Sequence, residues 1–529
     1  MKRTNYIAVS AIALIAAGGA AWADDNDAYL DQLGDNNTAL ITQSGDRNDA
    51  GSSAATRVMT QNGDNNEIDI DQSGDDNRIG TTDKAGAPGV DQIGDRNALD
   101  ITQSSHKNYV NIVQQTGVSG ATETQNSLTI LQEASNANFP NGNTTKWGNV
   151  VSRVIQINTG TGASATETNS VTISQDRSTN GGPGGFGSNA IGPGVGGNLN
   201  DRRARVTGGV YQEGTGNTAD LLQSGERNVI LEVTQLGADN LADVDQLQVD
   251  PVGVNDGNIV RSILQDSTGA TLGNTALVRQ EGKKNGQGTF TAGSFAEGTG
   301  VIQGTVTQIG GDNDVDYLAV GNANLFGFYQ DGTGNSVGMV TITGNGNETA
   351  GYQDGTDNTI TIAPIVGDDN DIGVIQDGTM NMADIALTNG SDRNAIGVDQ
   401  FGTNAADVDV DGDDNFADIR QTGNNSGSFG VVLNITGDFN GTGPWMTGSD
   451  AESIGLTGGV IIQNGTDNLF DAVITGDNNL FASNQVGDFN TIDATVTGNS
   501  NQFAVAQLGD SNNATFSQIG NGNNAGISQ

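Results

Sequence analysis

Hydrophobic and polar residues alternate along this chain inside a repeat of eleven residues. In residues 463–529 each copy has a glycine, an asparagine three residues later, and then apolar residues two apart, as in Asn501, Phe503, Val505 and Gln507. Apolar residues at a period of two predict short β-strands. A fixed short period predicts strands and turns that stack into a coil rather than a globule.

The structural unit is predicted to be twice eleven residues, because the ends of successive copies alternate in chemistry. Glutamines recur every 22 residues, and mostly apolar residues stand midway. The two series are Gln463, Gln485, Gln507 and Gln529, and Ile474, Val496 and Gln518. We therefore predict an all-β fold, a β-solenoid of stacked cross-β arches with two strand-turn units in each rung and ~4.8 Å between rungs.

The repeat can be followed through most of the chain and divides it into segments. We predict a signal peptide at 1–23, a short lead at 24–31, irregular repeats with glycine-rich insertions at 32–302, and further repeats at 303–423. An insertion is expected at 424–462, followed by regular repeats without a closing cap at 463–529. Insertions in such a coil are expected to leave it at the turns.

The first 23 residues have the features of a secretory signal. Lys2 and Arg3 precede the apolar stretch 7–17, and Ala21-Trp22-Ala23 is a small-x-small cleavage site. This pattern predicts an exported mature chain with no membrane-inserted segment. The sequence has no cysteine, so the fold is expected to be held without disulfides.

Composition bears on the order of the chain and on its partners. Hydrophobic residues make up 34% of the chain and the formal net charge is −42, values that a disordered chain could also have. The regular spacing favours ordered strands in the assembled form, although an unassembled monomer could be disordered. Such a negative charge disfavours binding to nucleic acid or to anionic membranes.

The alternation directs amides into a thin core, where each needs a hydrogen-bonding partner. The natural partner is the same amide in the next rung, as in the amide ladders of cross-β stacks. The predicted self-assembly ladder consists of Gln463, Asn468, Asn479, Gln485, Asn490, Asn501, Gln507, Asn512, Gln518, Asn523 and Gln529. The glycines predicted to form the turns, where positive φ is needed, are Gly465, Gly476, Gly487, Gly498, Gly509 and Gly520.

Catalytic and metal chemistry receive little support from the sequence. The Gly-Asp-x-Asn corners could offer oxygen ligands to calcium, but turn formation by local side-chain bonds and solubility explain them more simply. His106 is the only histidine and falls at a turn position, so we expect a solvated residue rather than a general base or ligand. Carboxylate pairs are unavoidable in so acidic a chain. We predict no enzyme activity, no resident cofactor and no metal site.

One motif is specific enough to suggest a family. The pattern Gln-x-Gly-x-x-Asn-x-Ala-x3-Gln occurs intact at 32–43, 212–223 and 235–246. It resembles the curlin repeat of curli fibre subunits, secreted bacterial amyloids of the biofilm matrix, and this chain would be an unusually long member. The resemblance implies export through an outer-membrane pore, polymerisation outside the cell, other curli-type subunits as partners, and roles in adhesion and biofilm.

Two functional hypotheses follow from the sequence. In the first, the chain is a secreted structural protein that polymerises with itself into curli-like amyloid fibres at the cell surface, because a terminal rung presents unpaired backbone groups and amides. In the second, it is a monomeric secreted β-solenoid adhesin whose Gly-Asp-x-Asn turns could bind calcium. Fibres with a ~4.8 Å repeat are expected only from the first.

Overall fold

A computed structural model describes most of the chain. The described residues are 13–14, 25–51, 58–80, 89–104, 106, 108–134, 149–160, 167–177, 190–191, 208–225, 228–248, 256–362, 364–388, 390–425 and 430–529. Apart from Ala13–Leu14, the expected signal peptide lies outside them. The chain divides into two compact units, Met1–Lys284 and Asn285–Gln529.

The first unit contains only β-strands among its described elements. They are β1 (Ala13–Leu14), β2 (Asp27–Ala28), β3 (Leu30–Leu33), β4 (Thr38–Ser44), β5 (Asp49–Ala50), β6 (Met59–Asn62), β7 (Glu67–Ser73), β8 (Arg78–Ile79), β9 (Val90–Ile93), β10 (Asn97–Ser104), β11 (Tyr109–Thr116), β12 (Asn126–Ala134), β13 (Val150–Asn158), β14 (Asn169–Arg177), β15 (Ala190–Ile191), β16 (Gly209–Thr215), β17 (Thr218–Ser224), β18 (Val229–Ile230), β19 (Glu232–Ala238), β20 (Leu241–Leu247), β21 (Ile259–Val260), β22 (Ser262–Asp266) and β23 (Thr275–Lys283).

These strands form two parallel stacks. In one, β4, β7, β10, β12, β14, β17, β20 and β23 pair in that order. In the other, the intervening strands pair in the same way, from β3 and β6 to β19 and β22. Each turn of the chain therefore adds one strand to each stack. Partners such as Gln43 and Gln72 are 29 residues apart, because insertions lengthen the rungs of this unit.

The second unit contains two short helices as well as strands. Its elements are α1 (Phe295–Gly298), β24 (Thr305–Gly311), β25 (Asp314–Asn322), β26 (Leu325–Thr333), β27 (Ser336–Thr343), β28 (Glu348–Thr356), β29 (Thr359–Ile362), β30 (Ile365–Val366), β31 (Asp371–Thr379), β32 (Met382–Thr388), β33 (Ala395–Asp411), β34 (Phe416–Asn425), β35 (Ile435–Thr436), α2 (Asp450–Ile454), β36 (Val460–Thr466), β37 (Leu480–Val486), β38 (Thr491–Thr497), β39 (Gln502–Leu508), β40 (Asn513–Ile519) and β41 (Asn524–Ser528).

One parallel stack of the second unit, here called the glutamine sheet, is continuous. It consists of β24, β26, β28, β31, the first half of β33, β34, β36, β37, β39 and β41. The opposite stack contains β25, β27, β29, β30, β32, the second half of β33, and β35, with β38 and β40 paired farther along. The prediction of an all-β solenoid of stacked strands is confirmed.

The core is the thin layer between the two stacks. Alternate residues of each strand point into it, as in β38, where Ile492, Ala494 and Val496 are buried while the residues between them are at least partly exposed. Neighbouring aromatic side chains stack from rung to rung, as Phe481 does on Phe503 with ring centroids 6.2 Å apart. No helix in the described residues is long and apolar enough to span a membrane.

Two segments differ from the expected layout. Residues 430–441, inside the segment expected to be an insertion, contribute β35 and place Asn440 in a column of stacked asparagines. Residues 470–475, inside the run expected to be regular, form no strand, although Phe470, Ala472 and Ile474 are buried. Asp471, Ile474 and Thr475 have positive φ angles, which an extended strand cannot contain.

Candidate functional site: the amide ladders

The glutamines of the glutamine sheet form one hydrogen-bonded column. Each Nε2 donates to Oε1 of the glutamine in the following rung, over 2.9 Å from Gln463 to Gln485, 3.0 Å from Gln485 to Gln507 and 2.9 Å from Gln507 to Gln529. Nε2 of Gln485 also donates to the backbone carbonyl of Leu469 at 2.7 Å. Both amide hydrogens of this residue are therefore used, as a fully buried amide requires.

The corner asparagines form two further columns with the opposite polarity. Here Nδ2 donates to Oδ1 of the asparagine in the preceding rung, as from Asn512 to Asn490 at 2.9 Å and from Asn523 to Asn501 at 3.0 Å. Asn468 and Asn490 continue the first column, and Asn479 and Asn501 continue the second. The same Oδ1 also accepts the backbone N–H of the later asparagine.

The two polarities make the faces of a rung complementary. The face toward higher residue numbers offers glutamine N–H groups and asparagine oxygens. The face toward lower numbers offers glutamine oxygens and asparagine N–H groups. In the first unit the columns have the same polarities, as from Gln61 to Gln92 and from Asn97 to Asn66. Amide columns of this kind are therefore continued from rung to rung in one orientation.

Gln518 is the exception among the residues predicted to form the ladder. It occupies the opposite stack, and its strand partner in the preceding rung is Val496 rather than an amide. Its Nε2 donates to the carbonyl of Gln502 at 3.1 Å, and its buried Oε1 has no hydrogen-bonding partner. The structure therefore places ten of the eleven predicted residues in amide columns and leaves Gln518 outside them. The role of any of them in self-assembly stays a prediction.

The six predicted turn glycines all adopt positive φ, between 102° and 135°. Their stacking is close enough to exclude side chains at most of these positions. A Cβ on Gly487 would lie 2.3 Å from the carbonyl oxygen of Gly509, and one on Gly465 would lie 2.1 Å from that of Gly487. Glycine is therefore required both by the backbone angle and by the rung above.

Sequence reasoning missed a further column at the corners. The carboxylate that follows the turn glycine accepts a backbone N–H from the preceding rung, as Asp488 does from Thr466 at 2.8 Å and Asp510 does from Asp488 at 3.0 Å. We expected this side chain to bond to the backbone of its own turn, a contact that needs no neighbouring rung. His106 takes the same place in the first unit, where its Nδ1 accepts the N–H of Asp75 at 2.9 Å. The recurrence of Asp or Asn directly after the turn glycine was the available signal.

Stacking also places like charges above one another on the outer faces. Burial, and then the neighbouring Asp100, raise the pKa of Asp69. Burial, with Asp245 and Asp220, raises the pKa of Asp243. Ionisation of these carboxylates is therefore less favourable in the stack than in an unfolded chain. Among the described residues, no group of three or more His, Asp or Glu side chains is placed to hold a metal ion.

Part of the chain matches a known protein family. No curated protein matches the chain. The family model described as the curlin associated repeat matches residues 23–51, which include β2, β3, β4 and β5 and the amides Gln32, Asn37, Gln43 and Asn48. These amides belong to the columns described above, since Gln32 donates to Gln61 and Gln43 donates to Gln72. The chain carries a curlin repeat, and this agrees with the resemblance in its sequence to the curlin-repeat family.

Proposed function

We infer that this protein is a secreted structural subunit that polymerises with itself into curli-like fibres at the cell surface. The curlin repeat supports a curli-type structural role. The observation that carries the rest is the complementary polarity of the rung faces, because one copy can continue the columns of another without any new kind of contact.

The chemistry of a joined rung is the chemistry already present inside the chain. In an interior rung, glutamine and asparagine side chains bond to both neighbouring rungs, as at Gln485 and Asn490. A rung with a free face leaves part of these groups to water and leaves backbone N–H and C=O groups unpaired. A second copy that supplies the next rung removes water from both faces at once, which favours edge-to-edge addition.

The decisive experiment uses purified residues 24–529. Thioflavin fluorescence, electron microscopy and fibre diffraction should show fibres with a ~4.8 Å meridional reflection and self-seeded growth. A fixed monomer mass with no thioflavin response would overturn the proposal and would favour the monomeric adhesin instead. Adhesion and biofilm formation are then tested on cells that export the wild-type chain or a chain unable to form fibres.

A matched pair of variants tests whether the amides drive the addition. The ladder variant replaces the amides of one rung by apolar groups of similar size, and the control places the same groups on the exposed outer face of β40 in that rung. The two sets are Asn512→Leu, Asn523→Leu, Gln529→Met and Asn513→Leu, Thr515→Leu, Ser517→Met. Elongation from wild-type seeds should fall at least tenfold for the first set and stay near wild type for the second. Equal rates would contradict the role of the ladder.

A further inference from the structure

Two segments of the second unit, outside the repeat, are copies of one structural module. Residues 286–304 and 441–459 both contain Gly-x-(Phe/Trp)-x-x-Gly-Ser-x-Ala-Glu-x-x-Gly, with Phe290 in the first and Trp445 in the second. In each, a serine side chain caps a one-turn helix by accepting the N–H of the glutamate, Ser294 from Glu297 and Ser449 from Glu452, both at 3.0 Å. We call these segments clamp 1 and clamp 2.

The clamps leave and rejoin the glutamine sheet at equivalent places. Clamp 1 begins where Gly286 donates to the carbonyl of Asn324, and clamp 2 begins where Gly441 donates to that of Asn479, both at 2.8 Å. Clamp 1 ends where Gly304 donates to Phe326. Clamp 2 ends where Gly459 donates to Phe481 at 2.6 Å. Each clamp therefore replaces the first part of one strand and lies on the outer face of the strands that follow.

Each clamp donates equivalent backbone hydrogen bonds to side chains of the second and third rungs that follow it. In clamp 1 the N–H of Thr291 donates to Glu348 at 2.9 Å, and the N–H of Ala296 donates to Asp371 at 2.9 Å. In clamp 2 the equivalent N–H of Met446 donates to Gln502 at 3.0 Å, and that of Ala451 donates to Asn524 at 3.0 Å.

The backbone beneath each helix must be glycine. A Cβ on Gly373 would lie 2.1 Å from the carbonyl oxygen of Phe295, and one on Gly526 would lie 2.2 Å from that of Asp450. These glycines are not at turns and have no positive φ, so close approach of the clamp is their only evident requirement. The sheet and the clamps are therefore fitted to each other at both places.

The two clamps differ in the chemistry of the groups that hold them. Clamp 1 is held by two carboxylates, Glu348 and Asp371, where clamp 2 is held by the amides Gln502 and Asn524. Because only the carboxylates can change charge, we propose that clamp 1 is a pH-sensitive strap that acid tightens onto the glutamine sheet, while clamp 2 holds independently of pH.

The direction of the pH response follows from the surroundings of Asp371. Its carboxylate is taken from water when the clamp closes, and burial raises its pKa to about 6 despite the hydrogen bonds from Phe295 and Ala296. Glu348 on β28 faces it and raises the pKa further, whereas β33 places the uncharged Ala395 beside it. The charged group on α1 is Glu297, whose carboxylate accepts the N–H of Gly293 at 2.7 Å.

A closed state with the higher pKa binds the proton more tightly than the open state does, so closure is favoured as pH falls. With ordinary Asp titration in the open state and a pKa of about 6 in the closed state, the closing equilibrium should rise about 25-fold between pH 7.5 and pH 4.5. Above pH 7 the carboxylate is ionised in both states, and the equilibrium should no longer change.

Native-state hydrogen exchange of the full chain tests the proposal without requiring fibres. Protection factors, corrected for the intrinsic effect of pH, are measured for peptides from both clamps at pH 4.5, 6.0 and 7.5. Protection in clamp 1 should rise about 25-fold at the acidic end, and protection in clamp 2 should stay constant. A flat profile in clamp 1, or equal changes in both clamps, would overturn the proposal.

A variant converts one clamp into the chemistry of the other. Glu348→Gln with Asp371→Asn gives clamp 1 the side chains that already hold clamp 2, so folding should be retained. The pH dependence of clamp 1 should disappear while its geometry persists. The reverse exchange, Gln502→Glu with Asn524→Asp, should make clamp 2 tighten in acid. Retention of the acid response in the first variant would show that other groups cause it.

Discussion

Replacement of Gln485 by methionine should locally destabilise the second unit far more than the same replacement at Gln518. The two glutamines occupy the same position of the eleven-residue repeat and both are buried, with 0% and 8% of the residue exposed. Methionine has a similar shape and no amide. The comparison therefore isolates hydrogen bonding from the filling of space.

The expected magnitude follows from the groups left without partners. At Gln485 the change removes the acceptor of Gln463 and the donor to the carbonyl of Leu469 and to Oε1 of Gln507. Each buried group left unsatisfied costs about 1–3 kcal/mol, so the loss should be about 3 kcal/mol or more. At Gln518 the change removes one bond to Gln502 and also the unpartnered Oε1, so the net effect should be within about 1 kcal/mol.

A long stack does not unfold in one step, so the assay must be local. Native-state hydrogen exchange, read on peptides that contain β37 and β39, reports the opening of the affected rungs. Gln485→Met should lower protection there by a hundredfold or more, since about 1.4 kcal/mol corresponds to a factor of ten. Gln518→Met should change it by less than about fivefold. If both variants lose the same protection, packing rather than the amide column stabilises the rungs.

Three other predictions concern a buried hydroxyl, two turn glycines and the outward aspartates. Tyr317→Phe should not destabilise the second unit and should stabilise it by up to ~1 kcal/mol, because the buried hydroxyl has no partner; a loss in denaturant melts would show a missed bond. Gly487→Ala should cost several kcal/mol, because its Cβ would meet Gly509, whereas Gly522→Ala, with φ 69° and open space, should cost about 1 kcal/mol; similar losses would refute steric stacking. Because burial raises the pKa of the outward aspartates, stability should rise as pH falls from 7.5 toward 4.5; a steady fall in melting temperature over that range would contradict this sign.

The periodic part of the fold could be predicted from the sequence because each rung repeats the rule of the last. The alternation of residues at a period of two indicated which face of strands such as β37 and β39 points inward. The spacing of 22 residues between Gln485 and Gln507 indicated which amides stack. Gln518 shows the limit of the rule. Its position in the repeat matches theirs, but a column needs an amide in the neighbouring rung, and Val496 stands there.

The clamps could not be predicted from periodicity. Thr291 and Glu348 are 57 residues apart, and Phe295 and Asp371 are 76 apart, so no local pattern relates them. The sequence similarity between 288–300 and 443–455 was visible, but without the sheet beneath it nothing indicated what the shared serine, glutamate and glycines do. Outward glycines such as Gly373 were equally ambiguous, since a strand glycine can also mark a bulge or a weak strand.

The polarity of the columns restricts how copies of this protein can join. A two-fold symmetric end-to-end dimer would place like faces together, so glutamine N–H groups would face N–H groups and asparagine oxygens would face oxygens. Joining unlike faces satisfies both kinds of column, as within the chain from Gln485 to Gln507 and from Asn512 to Asn490. Such a head-to-tail contact leaves the same two faces free at the ends of every product, and without a rotation that closes a ring it continues without limit. The hydrogen-bond direction of the amides therefore favours an open, polar fibre over a closed oligomer.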